Sequence, residues 1–290
     1  LGSSVGLFHA ALVNQSSGLL GRFINVLLVL VFPYVILGAL FGKCAGGQSL
    51  IKLAFAATRN LRGGPAHAAV VSSAMFGTIT GGPVVNVLST GVLTIPMMVK
   101  RGFSKVFAGG VEAAASSGGA IMPPIMGAAA LVMADIVGVS YLTVILAVII
   151  PAVAYYLSLF LAVYFESQKL NIEVGDDDIK VLAPTGQDWL NMLLVFGPIA
   201  IIVWLLVSGL SAAGASIAAI LLLLPMSFLN PEVRKKPMLL VSALADGGKV
   251  VGQVAVAIAI VGIVVSVLSA TGVPTSFAVL LSNASSNSLL

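Results

Sequence analysis

Five stretches of this chain, residues 23–42, 141–164, 189–207, 212–228 and 250–269, each run for about the ~20 residues that cross a bilayer core, and none contains a charged side chain. A backbone in lipid must satisfy its own polar groups, so such runs fold as helices rather than as open strands. The rest of the composition agrees. Of the 290 residues 59% are hydrophobic and 8% charged, and the mean hydropathy of +1.13 lies far above that of soluble domains. The fold class expected is an all-α, multi-pass membrane protein, with the lipid bilayer as its first partner. The opening residues lack a basic stretch followed by a short apolar core and a cleavage site, so no signal peptide is expected.

Several function classes drop out early. The single cysteine, Cys44, forms no internal disulfide, and His9 and His67 lie far apart without carboxylates at metal-ligand spacing. No cofactor is expected. The charge of +4 comes without a basic groove or an aromatic ladder, which argues against nucleic acid. An intramembrane enzyme would need a nucleophile with a base, or a metal motif, inside a span, and the apolar runs contain neither. A passive channel would call for repeated pore helices lined by like residues, and the two halves of the chain are unlike.

Between the first span and residue 141 the apolar runs become short and broken. Residues 65–80 and 84–99 flank Gly81, Gly82 and Pro83, and each falls short of a comfortable crossing. This pattern predicts a re-entrant helical hairpin whose tip reaches mid-membrane. A second break follows at Ser116, Ser117, Gly118, Gly119, Pro123 and Pro124, predicting one transmembrane helix interrupted in its middle. Re-entry also places Arg59, Arg62, Lys100, Arg101, Lys105, Lys169, Lys180, Arg234, Lys235 and Lys236 on one face, the cytoplasmic one. The similar patterns ILGALFGKCAGGQSLIKLAFA and IVVSVLSATGVPTSFAVLLSN suggest a repeat, with a second hairpin expected beyond Leu290. The organisation read from these features is a lead-in at 1–21 and a scaffold helix with an amphipathic arm at 22–62. Hairpin and broken helix occupy 63–138, a helix closing the first repeat 139–165, a cytoplasmic linker 166–187, and the start of the second repeat 188–290.

Broken helices at membrane depth expose carbonyls to cations and amide groups to anions. Thr78, Thr80, Gly81, Gly82, Asn86, Ser116, Ser117, Gly118 and Gly119 are therefore candidate Na⁺ ligands, with Pro83, Pro123 and Pro124 as candidates beside the substrate. The same small and hydroxylic residues also serve plain helix packing or bond to their own helix, and spacing does not separate the two. Glu112 is flanked by apolar sequence, and burying it in a membrane costs roughly 2.5–3.5 kcal/mol. It is either a proton- or ion-coupling group or a solvated residue about two turns past Lys105. Asp135 reads as interfacial, His67 as a helix-entry residue, and Asp176 to Asp178 as a solvated loop without a calcium-binding pattern. Asn283 opens a glycosylation triplet, which is weak evidence by itself.

The segments RGGPAHAAVVSSAMFGTITGGPVVNVLSTGVLTIPMM and FAGGVEAAASSGGAIMPPIMGAAALVMADIVGVSYL together resemble the large membrane permease subunit of tripartite ATP-independent periplasmic (TRAP) transporters, most of all the branch served by TAXI-type binding proteins. The likeness is close over residues 22–171 and looser over 188–290. It implies an inverted-repeat, elevator-type symporter of the bacterial inner membrane, commonly driven by Na⁺ and importing organic anions such as dicarboxylates. It further implies a periplasmic TAXI-type substrate-binding protein, and a small four-helix membrane subunit that is separate or fused upstream. By that likeness Gly81, Gly82, Asn86, Ser117, Gly118 and Gly119 hold Na⁺, and the family implies no enzymatic activity. Relatives often carry Gly-Ser-Ser where this chain has Gly81, Gly82 and Pro83, which shifts coordination at the tip toward carbonyls.

Overall fold

The computed structural model describes residues 22–44, 47–172 and 183–287, and every regular element among them is helical. The chain divides into two compact units, residues 30–249 and a smaller one formed by residues up to 29 together with those from 250 onward. His9, Asp176 to Asp178 and Lys180 lie outside the described residues.

The first helix has three parts, α1 (Arg22–Val26), a π-helical turn (Leu27–Val31) and α2 (Phe32–Cys44). Pro33 lacks an amide hydrogen, and the widened turn ahead of it absorbs the missing bond. After a break, α3 (Gly47–Thr58) lays Ile51 and Phe55 against Ala68. The next two helices, α4 (Gly64–Thr80) and α5 (Pro83–Lys100), run antiparallel, with Met97 packed in the cluster of Ala68 and Thr90 beside Ser73. Gly81, left-handed at φ 60°, ends α4, and Pro83 opens α5 where its missing amide hydrogen costs nothing.

The interrupted helix follows the expected breaks. Ser104 caps α6 (Lys105–Gly118), a 3₁₀ turn covers Gly119–Ile121, and α7 (Ala128–Val137) resumes after an irregular segment. Next come α8 (Tyr141–Lys169), α9 (Gly186–Val207) and α10 (Ala212–Met226), the last of these followed by a 3₁₀ turn (Ser227–Leu229). A short α11 (Pro231–Lys235) leads into α12 (Met238–Thr271), and α13 (Val273–Asn287) follows. The order of a long helical stretch, a break and a shorter helix occurs from α1 to α3 and again at α12–α13, where Gly272 turns at φ 69°.

All five apolar runs read from the sequence are helices long and apolar enough to span a membrane. A sixth, Pro83–Lys100, also qualifies by length and composition, but its mean hydropathy of 1.3 is the lowest of the set. Its polar residues explain that value, as shown below. Two boundaries differ from expectation. Helix α8 continues to Lys169, past the expected linker start at 166, and a Lys169–Glu166 pair closes its last turn. Helix α12 begins at Met238, well ahead of the apolar run at 250, because Asp246 is paired by Lys43 and Lys249 and its charge sits comfortably on a helix. A core of Ala66, Ala69, Val70, Met98, Phe103, Ala108, Val111 and Val163 ties α4, α5, α6 and α8 together, so the hairpin packs with the first half of the broken helix.

Candidate functional site

Glycine brings the hairpin tip and the broken helix into backbone contact. Gly77 in α4 and Gly119 in the 3₁₀ turn leave no space for side chains: a methyl on Gly119 would lie 2.7 Å from the Cα of Gly77 and 3.1 Å from Asn86 Nδ2. A methyl on Gly81 would overlap the carbonyl oxygen of Met126. Both breaks predicted from sequence therefore meet at one crossing. Gly38 of α2 approaches the same place, where a methyl would stand 2.9 Å from the Ile79 carbonyl oxygen.

Asn86 sits fully buried one turn into α5. Its Nδ2 donates to the Ser73 carbonyl at 2.8 Å, whereas its buried Oδ1 accepts no hydrogen bond from the described residues. Native interiors seldom leave such an acceptor unpaired. The hydroxyls expected near it are engaged elsewhere. Thr78, Thr80 and Ser117 donate to the carbonyls of Met75, Phe76 and Ala113 in their own helices, and Ser116 donates to Glu112 at 3.3 Å. Gly82 follows the tip in extended conformation with Pro83 exposed after it, and Gly118 lies under the Tyr155 ring. Pro123 and Pro124 form the irregular segment, where the Tyr141 hydroxyl donates to the carbonyls of Pro124 and Ile125.

Glu112 is 0% exposed, which removes the reading of a solvated residue near the helix start. Its carboxyl lies between α6 and both hairpin helices and is ringed by hydroxyls. Thr94 lies 2.5 Å from Oε2, Ser73 and Ser116 lie 3.2 and 3.3 Å from Oε1, and Thr90 also bonds Oε1. Gly91 makes the approach possible, since a methyl there would come within 3.0 Å of Glu112 Cγ. Ser73, Thr90 and Thr94 were not among the residues expected here. Asn86, Thr90 and Thr94 recur every four residues on an otherwise apolar helix, so they share one face, and that stripe was a readable signal.

Further sites have bland surroundings. His67 is buried in the first turn of α4 against the Phe160 ring, with ring centroids 4.2 Å apart. Asp135 ends α7 beside a cleft of about 300 Å³. No group of three metal-ligating side chains occurs among the described residues.

In this apolar, all-helical chain the hairpin and the interrupted helix thus meet beside a buried asparagine and a buried carboxyl. The C4-dicarboxylate TRAP transporter large permease protein DctM of Vibrio cholerae is 31% identical over 169 residues, 57% of this chain and 37% of that protein. The isethionate TRAP transporter permease protein DctMQ of Oleidesulfovibrio alaskensis is 37% identical over 98 residues, 33% of this chain and 15% of that protein. The DctM protein of Pseudomonas aeruginosa, of the same description as that of Vibrio, is 31% identical over 97 residues, 33% of this chain and 23% of that protein. The matched stretches thus span well under half the length of these relatives. The family model described as "Tripartite ATP-independent periplasmic transporter, DctM component" matches residues 8–290, and on that near-complete match the chain belongs to the DctM family of TRAP transporter permeases.

Proposed function

We propose that the chain is the permease component of a secondary, ion-coupled importer in the bacterial inner membrane, and that the crossing of hairpin and broken helix is where its coupling ion, Na⁺, binds. The observation carrying this reading is Asn86 Oδ1, a buried acceptor without a donor among the described residues, on a side chain whose Nδ2 lies toward Gly119. Leaving such a group unpaired costs on the order of 1–3 kcal/mol. A cation meets that need as a hydrogen-bond donor does, and an uncharged oxygen set suits Na⁺. The other ligands in this reading are backbone carbonyls around Gly81, Gly82, Gly118 and Gly119, with the Thr78, Thr80 and Ser117 hydroxyls, which donate within their own helices, keeping their lone pairs.

In the same reading the hairpin is re-entrant and moves with the broken helix as an elevator-type transport domain. The shared core of α4, α5, α6 and α8 supports joint movement. The substrate class is organic anions, supported by relatives named for C4-dicarboxylates and isethionate, and the partners are a small four-helix membrane subunit and a periplasmic TAXI-type binding protein.

The test is thermal stability of the full-length permease in detergent, in NaCl against KCl and choline chloride at equal ionic strength, for wild type and Asn86→Ala. A ligand bound only by the folded state stabilises it, by about 2.7 kcal/mol at a hundredfold excess over Kd. A Na⁺-specific rise in melting temperature that shrinks in Asn86→Ala is expected. Equal melting in all three salts would sink the Na⁺ assignment.

A further inference from the structure

The base of the hairpin gathers three chain segments into one basic surface. A methyl on Gly63, just ahead of α4, would lie 2.9 Å from both Phe103 Cζ and Ser167 Cβ. The loop into α4, the turn between α5 and α6 and the last turn of α8 therefore meet there. Phe103 stacks on Phe107 and belongs to the core that ties these helices together, so the meeting point is fixed from below. Residues 59–63 and 100–105 carry Arg59, Arg62, Lys100, Arg101 and Lys105 and no acid.

Arg59, Arg62 and Lys105 are exposed, and among the described residues their side chains have no carboxylate or carbonyl partner. Lys43, Lys52, Lys169 and Lys249, by contrast, each pair with an acid. Beside Lys105 stands Val106, 86% exposed. Cations set around an exposed apolar side chain match a layer in which phosphates lie over hydrocarbon. Guanidinium and ammonium groups bond the phosphates, while Val106 and the cations' own aliphatic stems reach the acyl boundary. A free phosphate ion would meet the charges and leave Val106 in water.

We propose that this surface binds anionic phospholipid of the cytoplasmic leaflet, with Arg59, Arg62 and Lys105 on the headgroup phosphates and Val106 at the acyl boundary. The choice of leaflet rests on the segregation of basic residues described above and on the transporter reading; the lipid contact itself does not. Helix α4 is 17 residues long, about 25 Å, so the surface lies a helix length from the tip at Gly81 and is separate from the candidate ion site. Headgroups held here tie the base of the hairpin to one leaflet.

The experiment titrates dioleoylphosphatidylglycerol, dioleoylphosphatidylcholine or inorganic phosphate into the full-length permease in neutral detergent and follows the melting temperature. It compares wild type with Arg59→Gln/Arg62→Gln/Lys105→Gln and with Arg234→Gln/Lys235→Gln/Lys236→Gln, which removes the same charge from exposed residues around α11. Phosphatidylglycerol is expected to raise the melting temperature of wild type, and phosphatidylcholine and phosphate to leave it unchanged. Each basic residue removed from the site weakens the lipid about fivefold, so the first variant needs roughly a hundredfold more of it for the same rise. The second variant is expected to respond as wild type does. Equal weakening in both triple variants overturns the site in favour of bulk surface charge. A rise as large with phosphatidylcholine overturns the anionic headgroup, and one as large with inorganic phosphate overturns the lipid. No rise with phosphatidylglycerol overturns the proposal outright. If the first variant melts below wild type before lipid is added, the three single variants replace it, and none of them weakening the lipid overturns the site. The salt series above decides the Na⁺ reading separately, because neither triple variant touches the hairpin tip.

Discussion

Gly77 and Gly119 meet backbone to backbone: a methyl group added to either would intrude on the Cα of the other. Neither neighbour is a flexible side chain, so the clash cannot be relieved by a rotamer change. Gly77→Ala and Gly119→Ala are each expected to cost about 1–3 kcal/mol, the range for overpacking a filled interior. Gly109→Ala and Gly110→Ala are the controls, since a methyl at either position in α6 meets nothing within 4 Å. Replacing a helical glycine by alanine favours the helix by up to about 1 kcal/mol. Melting temperatures should fall for the first pair and hold or rise for the second.

Gly81 is constrained twice, by φ 60° and by the Met126 carbonyl lying where a Cβ would be. Conformation alone tolerates asparagine moderately well; the contact does not. Gly81→Asn should therefore be as damaging as Gly81→Ala, and a measured advantage for asparagine would show that the tip relaxes away from Met126.

Much of this arrangement was legible in the chain itself, and the parts that were not share a cause. Gly81, Gly82 and Pro83 announce the tip because they end helices by local chemistry, and the same holds for the break after Gly118. Sequence also singles out Glu112 as an expensive residue, but not whether it is buried, since that depends on Gly91 and on which helix covers it. The stripe of Asn86, Thr90 and Thr94 carried a four-residue period that marks its face. Its meaning emerged only with Ser73 opposite, a contact between residues 17 apart. The early start of α12 was hidden because Asp246 and Lys249 interrupt the apolar pattern ahead of residue 250, whereas the partner that settles Asp246 there is Lys43, 203 residues away.

Tyr156 stands where α6 begins to tighten. The Gly119 amide turns back to the carbonyls of Ser116 and Ser117, and the Tyr156 hydroxyl donates to Ala115 at 2.8 Å. Tyr156→Phe removes that donor while keeping the ring. A loss of about 1 kcal/mol is expected, near the middle of values for hydrogen bonds between membrane helices. A difference in melting temperature between this variant and Tyr155→Phe, which strips the same kind of bond from Ala114, would separate the tightened turn from the regular helix before it.

Asp188 anchors α3 to the start of α9, and its four kinds of partner contribute unequally. Its carboxylate accepts from Ser49 at 2.6 Å and from the Thr185 amide and hydroxyl at 2.7 Å each, closing a capping box, and pairs with Lys52 at 3.2 Å. Asn191 in turn donates to Ser49 at 3.0 Å. The Lys52 side chain keeps 29% of its exposure while that of Asp188 keeps 6%, so the lysine is still solvated when its partner is lost. Lys52→Met is therefore expected to cost less than about 1 kcal/mol, as a partly exposed pair does. Asp188→Ala removes the cap and leaves Ser49 and the Thr185 amide without an acceptor, for about 2–3 kcal/mol. The double variant should cost little more than Asp188→Ala alone, because the lysine contact acts only through Asp188. If the two single losses simply add, Lys52 stabilises the fold through its aliphatic stem against the neighbouring helices rather than through its charge.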